Sequence, residues 1–104
     1  MATTQELLCH AIRSNLTVIF TKDGDGDEDP RVGEPHLLFV STTGKVLAAI
    51  FQTGGYSSSG SLPEWRNFDV DTISVLPGPE TAFTPRADFN RNNPMYAKIV
   101  CERS

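Results

Sequence analysis

No apolar run in this 104-residue chain approaches the ~20 residues that a membrane-crossing helix requires, so a membrane role is not expected. The opening Met1-Ala2-Thr3-Thr4-Gln5-Glu6 lacks the charged stretch and apolar segment of a secretion signal, which makes the cytoplasm the expected location. Cysteine is scarce. Cys9 and Cys101 stand near opposite ends without CxxC spacing or neighbouring ligands, which argues against a zinc site. Two separate thiols in a reducing compartment are the plainer expectation, with a bridge between the termini as the alternative. No dense basic stretch is present to hold phosphates, and the net charge is −4, so nucleic acid is disfavoured as a partner. Internal repeats are absent as well.

What is present fits one domain spanning 1–104, since this length cannot build two independent cores. Apolar residues make up 38% of the chain, enough for one core, and mean hydropathy is −0.25. Five of the thirteen acids (Asp23, Asp25, Asp27, Glu28 and Asp29) crowd into seven positions. The rest of the chain carries nine basic residues against eight acidic ones.

Residues 3–14 predict an amphipathic helix, with Thr3 and Glu6 at capping-box spacing and Leu7, Leu8, Ala11 and Ile12 in one stripe. Leu16–Thr21, Pro35–Ser41 and Val46–Thr53 read as strands, the last two joined by a tight turn at Thr42-Thr43-Gly44-Lys45. In the second of these, His36, Leu38 and Val40 alternate with Leu37 and Phe39. Trp65–Val70 and Ile73–Leu76 suggest two more short strands or one bent strand. Asn93 is positioned to cap a short helix starting at Pro94, with Met95, Ile99 and Val100 on its buried side. The expected fold is α+β and mainly β: a small, strongly curved antiparallel sheet or barrel of about five strands with a helix at each end.

Three stretches invite a chemical reading. Asp23, Asp25, Asp27 and Glu34 match positions of a calcium-binding EF-hand loop, but Glu28 replaces the turn glycine and Pro30 the apolar residue. A solvated hairpin loop is the plainer reading, and weak calcium binding the alternative. His10 lies off the helix stripe and is expected at the surface. His36 follows Glu34-Pro35 at a strand start; a structural histidine or a ligand contact suits it better than a general base, because no nucleophile is marked beside it. The segment Gln52–Ser61 holds Gly54, Gly55 and Gly60 among hydroxyls, so its backbone could approach an anion closely. It lacks the Gly-Lys-Ser/Thr ending of a phosphate-binding P-loop. Trp65 and Arg66 follow, a flat ring beside a guanidinium.

Taken in order, Glu34-Pro35-His36, Gly44–Leu47, Gln52–Gly55, Ser57–Gly60, Leu62–Arg66 and Phe68–Ile73 resemble the short stand-alone proteins of the WYL-domain family. The likeness runs from the first helix to Asn93-Pro94. It implies an SH3/Sm-like small β-barrel and a ligand-sensing or interaction module of bacterial transcription regulation. No enzymatic activity, cofactor or metal is expected; an enzyme, the third reading, would need His36 beside an acid in a closed pocket. The Trp-Tyr-Leu strand of the family reads Lys45, Val46, Leu47 here, and positions often basic in the family are Asp69 and Thr72. The expected ligand is a small anion or nucleotide held by Arg66, with Trp65 stacking, Gln52, Ser57, Ser58 and Ser59 hydrogen bonding, and His36 as a polar contact. The alternative is a protein-interaction module, or a homodimer, formed through an exposed strand edge.

Overall fold

A computed structural model describes residues 3–24, 30–57, 62–78, 81–89 and 92–102. Its elements run α1 (Thr4–Ser14), β1 (Val18–Lys22), β2 (Arg31–Val40), β3 (Val46–Gly55), β4 (Glu64–Asp69), β5 (Ile73–Leu76) and β6 (Lys98–Glu102). Single 3-10 turns occupy Val70–Thr72 and Pro94–Tyr96.

The first helix forms for the local reasons its sequence contains. The Thr3 hydroxyl accepts from the Glu6 N–H at 3.1 Å, and the Glu6 carboxylate accepts from the Thr3 N–H at 3.2 Å. Two otherwise orphaned donors are thereby satisfied. Asn15 ends the helix in the left-handed region at φ 54°. Leu8, Ala11 and Ile12 are buried, whereas Leu7, expected in the same stripe, is exposed.

All strand pairs are antiparallel, in the order β4-β3-β2-β1-β5. The long β2 organises the sheet. Its first half pairs with β1 (Val18↔Gly33) and its second half with β6 (Leu38↔Cys101), while β3 runs along its other side throughout. Pro35, with no N–H to give, sits where the register shifts between Pro35 and Leu37. His36 is the extra residue of that bulge. The insertion turns it to the same side as Leu37 and Phe39, not the side of Leu38 that strict alternation predicts. No pairing joins β4 to β5 among the described residues.

Each face of the sheet is covered. On one, α1 packs against Phe20, Leu38, Ala48, Ile50 and Phe68. On the other, Leu37, Phe39 and Ala49 are covered by Phe89, Tyr96 and Ile99. Residues 83–89 and 92–96 thus lie over the second face as a strap. Buried side chains of the size of Phe20, Phe39 and Leu38 each contribute about 1.5–3 kcal/mol.

Two expectations are corrected by this architecture. The C-terminal helix is only the 3-10 turn Pro94–Tyr96, succeeded by a sixth strand, because Lys98–Glu102 gain ladder hydrogen bonds from β2. Met95 and Val100, expected to be buried, are exposed, and Ile99 is half-buried. The two thiols are instead a disulfide. Cys9 on α1 faces Cys101 on β6 with a Cα–Cα distance of 5.7 Å, within the span of a disulfide. Among the described residues no helix is long and apolar enough to cross a membrane.

Candidate functional site

The residues singled out from the sequence fall on two faces. Cross-strand pairing sets Gly33, Gln52 and Glu64 in one row and Pro35, Ile50 and Arg66 in the next, on the α1 side. Trp65 pairs with Phe51 and points to the strap side, where it meets His36. Gln52, Arg66 and Ser57 are therefore brought together, and Trp65 and His36 are brought together elsewhere. Ser58 and Ser59 lie outside the described residues, as do Asp25, Asp27, Glu28 and Asp29 of the acidic stretch. Among the described residues no group of three potential metal ligands occurs.

On the α1 side the geometry begins with Gln52, which is fully buried. Its Oε1 accepts from Arg31 Nη1 at 3.2 Å, and its Nε2 donates to the carbonyls of Gly54 (3.2 Å) and Tyr56 (2.7 Å). Gln52 so fixes both the start of the Gly/Ser segment and a guanidinium. Gly55 is needed at φ 81°, since a Cβ there would lie 2.7 Å from Arg31 Cα. Arg31 is itself buried, its guanidinium 5.4 Å from the Tyr56 ring centroid and 5.5 Å from that of Phe68. Arg66 Nη2 donates to Ser57 Oγ at 2.8 Å, and the same guanidinium pairs with Glu64.

These groups border an open depression of about 540 Å³ lined by Lys22, Asp23, Arg31, Tyr56, Arg66 and Asn67. Among the described residues this wall carries three cations and one carboxylate, with Arg66 also paired to Glu64. Lys22, Arg31 and Tyr56 carry no signal in the sequence. Lys22 and Arg31 flank the acidic stretch and read there as ordinary surface charge; their nearness to Arg66 and Asn67 of β4 depends on the tertiary fold.

The strap side is a packed cluster. His36 Nε2 accepts from the Arg86 N–H at 3.1 Å, so its Nδ1, 2.8 Å from the Glu34 carbonyl, is the protonated nitrogen. Its ring lies 4.7 Å from Trp65 and 5.2 Å from both Phe83 and Phe89. Arg86 Nε and Nη2 meet the two carboxylate oxygens of Glu34 at 2.8 and 3.1 Å, and the guanidinium sits 4.4 Å from the Phe51 centroid. The hydrogen bond to Glu34 raises the Arg86 pKa above its already high ordinary value. Trp65 Nε1 donates to Asp88 at 3.1 Å. Glu34, Arg86 and His36 therefore latch the strap to β2. Arg86 has no legible signal in its proline-rich stretch.

Set against protein-family models, curated proteins and solved structures, the chain matches none.

Proposed function

We propose that the protein is a non-catalytic module that binds a small anionic or nucleotide-like ligand in the depression where the Gly/Ser segment meets Arg66. The observation that carries this reading is the convergence of Lys22 and Arg66 on one open depression, with the buried Arg31 in its lining, beside Ser57 and the half-exposed ring of Tyr56. Guanidinium groups held in place by Gln52, Ser57 and Glu64 are pre-oriented for an anion, which lowers the ordering cost of binding. Gln52 acts in this reading as the support of Arg31 and not as a direct contact.

A WYL-type, SH3/Sm-like architecture is part of the same proposal. A meander of four strands, a 3-10 turn between β4 and β5, and the pairing of β5 with β1 support it. Bacterial transcription regulation is the setting that goes with the family likeness. A cytoplasmic location fits that setting, but the Cys9–Cys101 bridge weighs against it, because thiols stay reduced there.

Calorimetric titration with inorganic phosphate and with AMP tests the site. Arg66→Ala is expected to weaken binding about 10- to 100-fold, the loss of one charge-assisted contact of roughly 1.5–3 kcal/mol, with the fold retained. Unchanged affinity in that variant, or its failure to fold, removes the proposal. A second reading, self-association through a strand edge, is favoured by β4 and β5 each having a strand partner on one side only among the described residues. A dimer in sedimentation equilibrium that ignores both anions would support it.

A further inference from the structure

A second depression, of about 280 Å³, lies on the strap side between β4 and the turn at Pro94–Tyr96. Its size is close to the lower end, about 300 Å³, of small-molecule pockets. Its walls are aromatic: Trp65 and Phe89 lie 5.2 Å apart, and Phe89 stacks on Tyr96 at 5.6 Å. Met95, nearly half exposed, forms part of the rim.

Polar groups converge between these walls. The Asn67 amide, an exposed group on the edge strand, has only the Met95 sulfur as hydrogen-bond partner among the described residues, at 3.7 Å. Asp88 uses one carboxylate oxygen for the indole of Trp65, and its other oxygen has no hydrogen-bonding partner among the described residues. The half-buried Tyr96 hydroxyl meets no hydrogen-bonding partner among the described residues. An amide that gives and accepts, a carboxylate that accepts and a phenol that does both form an array suited to hydroxyl groups. Because Asp88 occupies the indole N–H, Trp65 has only carbon surface left to give a ligand.

Charge bears on the class as well. Among the described residues this lining carries one acid, Asp88, and one base, Arg66, with no excess of either sign. We infer that this depression binds a neutral hydroxylated ring, a monosaccharide unit, whose C–H face lies against the indole while its hydroxyls meet Asn67, Asp88 and Tyr96. Flat aromatic surface beside a few placed polar groups is the general composition of such a site.

Trp65 is the single tryptophan of the chain, so its fluorescence reports directly on the site. The folded protein is titrated with glucose, galactose, mannose and N-acetylglucosamine, with AMP as a charged comparator. At least one sugar is expected to give a saturable change with a Kd on the order of 1 mM. Asn67→Ala is expected to weaken it about ten-fold, the loss of hydrogen bonds worth roughly 1 kcal/mol or more. Tyr96→Phe, which keeps the ring stacked on Phe89, should also weaken it, and AMP should not compete. Absence of a saturable response to every sugar overturns the inference. So does an affinity unchanged in both variants, or displacement of the sugar by AMP. The readout is separate from that for phosphate, since Arg66→Ala weakens the anion response in the first proposal without removing the indole, the amide or the phenol used by a sugar.

Discussion

Replacing Gln52 by alanine examines the most connected buried polar group on the α1 side. The side chain is wholly buried and makes three hydrogen bonds, one from a guanidinium and two to carbonyls of its own chain. Truncation removes all three and leaves the Tyr56 and Gly54 carbonyls and Arg31 Nη1 without that partner. Each buried group so abandoned costs about 1–3 kcal/mol, and water entering the vacated space recovers part of the sum. A net loss of roughly 3 kcal/mol is expected, a large fraction of the ~5–15 kcal/mol of a typical domain. At about 4–8 °C per kcal/mol for a chain of this size, the melting temperature falls by roughly 12–24 °C. Urea unfolding monitored by circular dichroism measures the free energy, and a thermal scan the midpoint. Gln52→Glu keeps the volume and a stronger acceptor for Arg31 but loses both donors, so it should fall between wild type and alanine. A loss below about 0.5 kcal/mol in Gln52→Ala would show that the network does not hold this corner, and the account of Arg31 as pre-oriented would go with it.

Arg86→Ala should free the strap, because the bidentate pair with Glu34 and the contact with Phe51 vanish together. Faster cleavage within 83–96 under limited proteolysis, with β1–β5 still protected, is the expected result; an unchanged cleavage rate refutes the latch. Gly55→Ala forces a side chain into φ 81° and against the Pro30 carbonyl and Arg31 Cα, with an expected loss of about 1–3 kcal/mol in urea. Burial raises the Tyr96 pKa above the ordinary tyrosine value of 10.0. Its stabilising contribution is then complete below that value and lost as pH rises through the higher folded one. Urea midpoints across that alkaline window should fall less steeply in Tyr96→Phe, and identical slopes would exclude the effect.

The helix and the β2–β3 hairpin are legible in the sequence because their determinants are local. A capping box needs only Thr3 and Glu6, and the turn needs only a residue free to adopt φ 85° at Gly44. β6 is hidden because Asn93-Pro94 gives the same start signal for a 3-10 turn as for an α-helix. The strand conformation of Lys98–Glu102 is decided by pairing with Leu37–Val40, about sixty residues earlier in the chain. The proximity of Cys9 to Cys101 depends on that same pairing. Strict alternation puts His36 on the wrong side because a bulge defeats a period of two. Arg66 and Ser57 can be named as neighbours from a shared loop and strand, and they do meet. Trp65 cannot be separated from Arg66 without counting faces along β4, where adjacent residues point oppositely.

The bridge between residues 9 and 101 makes almost the whole chain a covalent ring. A single backbone cut at any loop between them, including the strap or the Gly/Ser segment, releases no fragment. The nicked molecule keeps its two pieces tethered until a reductant parts them.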